Sequence, residues 1–174
     1  SYDRLRPSLP DYLKGYFDAA IWAQQCVNGG NLLEEMLTVT ILEQLQQYFK
    51  LEKSKDSFSD LGLIFSTTVL GFKTAAEERR RALMELSKKY AVTIYSNSDT
   101  SDLLRVRYGG SLDYWSEMPK VFTASKINLN FTIPGIKSGL PLRIWDVLGS
   151  GGFLMTNFQA EIPAYFKNKV DLVC

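Results

Sequence analysis

The stretch Ile133-Pro134-Gly135-Ile136-Lys137-Ser138-Gly139-Leu140-Pro141-Leu142-Arg143 reads as a glycine-containing loop that feeds a helix start. Unpaired backbone N–H groups and the positive end of the helix dipole suit an anion there, such as a diphosphate. Lys137 and Arg143 add positive charge, and Ser138 adds a hydroxyl. An ordinary loop with proline at the first helical position accounts for the same residues. Asp146 follows Arg143 by three residues and so shares its side of the helix. It reads either as half of a surface ion pair, worth about 0.2–0.5 kcal/mol, or as a carboxylate that accepts hydrogen bonds from ribose hydroxyls. Gly149-Ser150-Gly151-Gly152 then permits tight helix-to-strand packing, which would hold the helix close to a sheet rim. Glu161 follows the next strand end and either orients a ligand or caps its own short helix.

Other chemistries are excluded by composition. The 174 residues contain no histidine, which removes Ser-His-Asp and Cys-His nucleophilic sites, histidine-ligated zinc and an imidazole base from this chain. Cys26 and Cys174 are too few and too distant for a disulfide framework or a four-ligand metal site. Lys plus Arg number 20 and Asp plus Glu 19, a balance that argues against a nucleic-acid clamp or a basic membrane-surface module. No apolar run approaches the roughly 20 residues of a membrane span. With no leader sequence recognised, the expected compartment is the cytoplasm. Gly149-Ser150-Gly151 lacks the third glycine of a dinucleotide fingerprint and closes a helix instead of opening one. Gly71-Phe72-Lys73-Thr74 lacks the upstream glycine of a phosphate-binding P-loop. The aromatic residues Tyr95, Tyr108, Tyr114, Trp115 and Trp145 are not interleaved with a basic stripe, so they read as core or pocket walls.

The elements that must position these residues fall into two styles. Over residues 1–59 the pattern is helical. A helix is expected from Asp11 to about Cys26, stopped by Asn28-Gly29-Gly30. A second is expected from the N-cap candidate Asn31, with Glu34 at the capping-box position, to about Tyr48. Together they form an αα-hairpin, whose exposed stripes would favour a homo-oligomer. Lys50–Asp60 reads as a charged connector. From residue 60 to 174 the pattern alternates. Leu61–Leu70, apolar and β-branched, predicts a strand buried on both faces. Thr74 opens a helix to about Tyr90, and Val92–Tyr95 is a strand. Leu103–Tyr108 is a strand or a helix. A helix starts at Pro119, a strand spans Ile127–Ile133, and a helix starts at Pro141. Gly152–Asn157, Gln159–Phe166 and Val170–Val173 follow as strand, helix and strand. This alternation predicts an α/β fold: a Rossmann-like, mostly parallel sheet with helices on both faces, preceded by the hairpin. Its strand ends gather the loops at 67–74, 96–102, 132–140 and 157–161 on one rim, where ligands of such sheets bind. Ser1 is not a start methionine and Val170–Cys174 reads as a strand with nothing after it, so a fragment of a longer protein is expected.

Three stretches resemble one family. They are Lys126-Ile-Asn128-Leu-Asn130, the run from Ser138 to Asn157 through Pro141, Arg143, Asp146, Gly151 and Gly152, and Gln159-Ala-Glu161-Ile-Pro163. They look like the C-terminal half of spore-maturation-type (CgeB-like) glycosyltransferases. Leu9-Pro10-Asp11-Tyr12 and the stretch from Asn31 to Thr38 resemble the helical segment before that half. The resemblance implies a bacterial GT-B glycosyltransferase, in which this domain holds the nucleotide-diphosphate sugar donor. It implies that Gly110, Ser111 and Leu112 contact the base, and that Asp146 binds the ribose. Ser138, Gly139 and Arg143 would hold the diphosphate, with Thr132 on the same strand-end rim. Glu161 would face the donor, with Arg143 and Glu161 the catalytic pair. Many relatives carry Glu where this chain has Asp146, one methylene longer. The resemblance also implies catalysis without a bound metal or other cofactor, no nucleic-acid partner, and a general base supplied from an acceptor domain that this chain lacks. The expectation is therefore weak nucleotide binding without sugar transfer. The competing expectation is a non-catalytic Rossmann-like interaction module.

Overall fold

The computed structural model describes residues 1–27, 30–49, 60–136 and 138–174. Asn28-Gly29, the connector over 50–59 and Lys137 lie outside the described residues. The chain divides into two compact units. The first is Ser1–Ala76 with Ile133–Ser138, and the second is Glu77–Thr132 with Gly139–Cys174.

The first unit is helical. It contains α1 (Tyr2–Leu5), a 3-10 turn at Arg6–Ser8, α2 (Asp11–Gln25), α3 (Leu32–Met36), α4 (Val39–Leu45) and α5 (Leu61–Ile64), a π-helical turn at Phe65–Leu70, and the start of α6 (Gly71–Leu86). The helix expected from Asp11 is present, ending at Gln25. The second expected helix is broken: Leu37 and Thr38 leave helical geometry, and Thr38 caps α4, its hydroxyl accepting from Ile41 N at 3.4 Å. Threonine is a good cap and a mediocre helix interior, so the break follows local chemistry. Asn31 makes no side-chain cap bond on α3. Buried Gln24 supplies it instead: its carbonyl oxygen accepts from Leu32 N at 2.7 Å and Leu33 N at 3.3 Å, while its amide donates to the Gly30 and Val27 carbonyls. The core gathers Leu13, Phe17, Ala20, Leu33, Leu45, Phe65 and Leu70. Phe17 sits between the rings of Tyr2, Tyr16 and Phe65.

The strand expected at Leu61–Leu70 is helix, and the run passes into α6 without a break. Three local features explain this correction. The Asp60 carboxylate accepts from Leu63 N at 2.6 Å, an N-cap. Ser66, Thr67 and Thr68 turn their hydroxyls back onto the Leu63 and Ile64 carbonyls at 2.6–3.1 Å, which reconciles β-branched residues with a helix. The buried positions Leu61, Phe65 and Val69, with Ser66, Leu70 and Thr74, fall at four-residue spacing. A short apolar run has the same composition in a buried strand and a buried helix. Thr74 is thus mid-helix, its hydroxyl donating to the Leu70 carbonyl at 2.9 Å, and residues 67–74 are not a strand-end loop. Gly71 N donates five residues back to Ser66 O, the π-type bond, and a Cβ at Gly71 would lie 2.9 Å from that oxygen.

The second unit mixes helices with short parallel strands. β1 (Thr93–Ile94) pairs parallel with β2 (Arg107–Tyr108), resolving Leu103–Tyr108 as a strand at its end. α7 (Met118–Ala124) leads to β3 (Asn128–Asn130). α8 (Leu142–Gly149) connects it to β4 (Leu154–Thr156), parallel to β3 with Asn130 opposite Thr156. α9 (Ile162–Tyr165) follows, and Val173 bridges in parallel to Met155. Among the described residues the strands pair two and two, β1 with β2 and β3 with β4. The continuous Rossmann sheet that the sequence predicts is not evident. The core under α8 contains Ile144, Val147, Leu154, Ile162 and Leu172.

Candidate functional site

α8 carries the two charged residues of the site. Its N-cap is Pro141, one residue earlier than the helical position expected for it, with Ile144 N donating to the Pro141 carbonyl at 3.0 Å. Ile144 and Val147 point into the core, and Arg143 and Asp146, both half-buried, flank that buried stripe on one side of the helix. The helix ends in a Schellman motif: Gly152 N donates to Val147 O and Gly151 N to Leu148 O, with Gly151 at φ +76°. Gly152 lies so close to α7 and β3 that a Cβ there would be 2.7 Å from the Phe122 carbonyl oxygen. The glycine run therefore locks α8 to its neighbours, as its composition predicts.

Arg143 and Asp146 make only a long ion pair, with Nη1 4.0 Å from Oδ2, beyond hydrogen-bonding distance. Each is held by something else. The Arg143 guanidinium lies over the Phe122 ring at 5.3 Å and contacts the Met118 sulfur, both on α7. Asp146 Oδ1 accepts a 2.6 Å hydrogen bond from the Tyr114 hydroxyl. That bond pushes the Tyr114 phenol pKa up, with burial and the Asp146 charge acting in the same direction. Tyr114 sits in a knitted turn. Asp113 Oδ1 accepts from Trp115 N, Ser116 N and the Ser116 hydroxyl, and Asp113 N donates to Glu117 Oε2 at 2.7 Å. The Ser116 bonds hold the Asp113 carboxyl below the usual range. Trp115 packs edge-on against Tyr114 and is otherwise exposed.

Gly110, Ser111 and Leu112 lead into this turn. Gly110 has φ +82°, and its carbonyl accepts from Ser96 N at 2.9 Å, fixing the loop to the end of β1. Thr132 lies elsewhere in the unit, in a buried polar cluster past β3 and β4. The Asn130 side-chain amide donates to the Thr132 and Thr156 hydroxyls at 3.0 and 2.9 Å. The Asn157 side chain pairs with both Thr132 N and Thr132 O. Thr132 is thus engaged in fastening the two strand ends. Gly139, at φ +86°, opens the approach to α8. Ser138 is exposed and belongs to the first unit. Glu161 precedes α9 without capping it through its side chain, and among the described residues no hydrogen bond or ion pair joins it to Arg143 or Asp146.

Sequence reasoning did not assign Tyr114, Asn130, Thr156 or Asn157 these partners. Asn130 and Thr132 had a readable signal: with Asn128 they repeat at two-residue spacing, which puts all three on one face of an extended chain. Tyr114 had none, because it meets Asp146 from 32 residues away. Among the described residues no group of three or more His, Cys, Asp or Glu side chains could hold a metal ion. Among the same residues no helix is long and apolar enough to cross a membrane.

The second unit is thus a mixed α/β unit of helices and short parallel strands. Residues 77–174, more than half of the chain, match the family described as glycosyl transferase-like, and the chain belongs to it. Membership supports a sugar-transfer role and a sugar donor as partner. No curated protein and no solved structure matches the chain.

Proposed function

We propose that residues 60–174 form the donor-binding half of a GT-B, CgeB-like glycosyltransferase, holding a nucleotide-diphosphate sugar for transfer to an acceptor. The observation that carries this reading is the family match over 77–174, the stretch in which Arg143 and Asp146 lie side by side on α8. In this reading the diphosphate sits at the start of α8, with Ser138 and Gly139 at its approach and Arg143 supplying charge. A guanidinium has five N–H donors, and among the described residues the hydrogen bond and ion pair of Arg143 both run through Nη1. Asp146 accepts from the ribose hydroxyls, and Gly110, Ser111 and Leu112 border the base. Thr132 shapes the rim through the strand ends it ties together, and Glu161 orients the sugar.

The chemistry follows from charge. Transfer breaks the bond between the anomeric carbon and the diphosphate, and negative charge grows on the leaving oxygen. Fixed N–H donors and a guanidinium aimed at that oxygen lower the barrier without a metal. Calorimetry of the chain with UDP, GDP, ADP and CDP tests the reading. Saturable heat with one of them, reduced at least tenfold in affinity by Arg143→Ala, is expected. No heat with any nucleotide would overturn it.

A further inference from the structure

Resting on the donor-binding reading, we propose that Tyr114 is a positioning residue, a spacer that holds the Asp146 carboxylate off Arg143 so that each is free for its own part of the donor. Arg143 and Asp146 are three residues apart on one helix, a spacing at which opposite charges can meet. Here the base comes first and the pair stands at 4.0 Å, whereas Asp11–Lys14 and Glu85–Lys88, with the acid first, close to 2.9 and 2.6 Å. Each partner of the open pair has a competing anchor. The Phe122 ring and Met118 sulfur hold the guanidinium, and the phenol takes Asp146 Oδ1 at 2.6 Å.

The phenol is not needed to build its own turn. Asp113 satisfies three donors of that turn and Glu117 satisfies the Asp113 amide, so the loop is shaped before Tyr114 reaches across. The Tyr114 ring also keeps its edge contact with Trp115 whether or not it carries a hydroxyl. Among the described residues its hydroxyl makes one hydrogen bond, to Asp146. Without that hydroxyl the carboxylate swings to the nearest cation. A closed pair would withdraw Asp146 from ribose hydroxyls and neutralise Arg143 toward a diphosphate. A phenol is protonated through the neutral range in any case, and the bond to Asp146 pushes its pKa further up, so the hydroxyl remains a donor.

The test is a double-mutant cycle read with inorganic pyrophosphate and UDP, using Tyr114→Phe, Asp146→Asn and the double variant, each checked for an intact melt. Tyr114→Phe should weaken pyrophosphate binding roughly threefold, the scale of a partly exposed ion pair, and weaken UDP further. Asp146→Asn should leave pyrophosphate binding equal or tighter, because no carboxylate remains to pair with Arg143. In the Asp146→Asn background, Tyr114→Phe should then change nothing. A Tyr114→Phe loss of equal size in both backgrounds, or no loss in either, with UDP still binding to the unaltered chain, would overturn the spacer role alone. Failure of the unaltered chain to bind either probe would overturn the donor-binding reading, and the spacer role with it.

Discussion

Three glycines in the four residues 149–152 stand in three different physical situations, and alanine at each should give a different result. Gly149 closes α8 with an ordinary helical backbone, and a Cβ added there would meet nothing within 4 Å. Alanine there removes unfolded-state freedom and should stabilise by about 0.4–1 kcal/mol. Gly151 is equally open but sits at φ +76°, so Gly151→Ala incurs only the left-handed penalty, about 1–2 kcal/mol. Gly152→Ala meets matter: its Cβ would lie 2.7 Å from the Phe122 carbonyl oxygen and 2.9 Å from Asn128 Nδ2. That amide itself donates to the Phe122 and Phe153 carbonyls, so the clash spreads into the join between α7 and β3. Overpacking of this kind costs about 1–3 kcal/mol, and the lost Asn128 bonds carry it to the upper end. Urea melts of the four proteins order them as Gly149→Ala above the unaltered chain, then Gly151→Ala, then Gly152→Ala. Gly152→Ala should also loosen α8 and weaken nucleotide binding, which Gly149→Ala should not. A harmless Gly152→Ala, or a destabilising Gly149→Ala, would refute the proposed locking of α8.

Gln24→Leu should destabilise by about 1–3 kcal/mol in the same melts, because it strips the acceptor from Leu32 N and Leu33 N inside the core; Asn31→Ala, whose side chain caps nothing, should cost less. Asn130→Ala leaves the Thr132 and Thr156 hydroxyls without their shared donor and should cost about 1–3 kcal/mol, read by thermal unfolding. In acid, the Arg6 guanidinium holds the Asp18 carboxyl below its usual range, helped by the Tyr2 hydroxyl and opposed by burial. The stabilisation is therefore present above the unfolded carboxyl value of about 3.9 and is lost as pH falls through the lower folded value. Stability measured against pH should show Arg6→Gln below the unaltered chain at neutral pH, and the gap shrinking as pH falls below the unfolded carboxyl value of about 3.9. A gap independent of pH would contradict the assignment.

Much of this architecture is legible locally. Pro10 before α2, Pro119 in the first turn of α7 and Pro141 before α8 mark helix starts through a fixed φ and a missing N–H. The i,i+3 spacing of Arg143 and Asp146 dictates that they share a side of α8, and the glycines after it announce the Schellman turn. Misreadings arise where one composition serves two periods or where a distant group wins. Leu61–Leu70 satisfies a buried strand until Asp60 and the threonine hydroxyls are seen to close helical bonds. Asn31 has the right type for a cap, but Gln24, packed beneath it, takes the amides first. The extent of each strand depends on partners such as Thr156 and Val173, which no single stretch reveals. Tyr114 belongs to this second class: its hydroxyl decides how Asp146 is presented, from a turn whose sequence says only that it is a turn.

A crystal of the chain grown with UDP tests the central claim most directly. The donor-binding account predicts diphosphate density at the first turn of α8 within hydrogen-bonding distance of the Arg143 guanidinium, with the ribose hydroxyls on Asp146. Diphosphate bound at another surface while α8 stays bare, with Asp146 still held only by Tyr114, would contradict it.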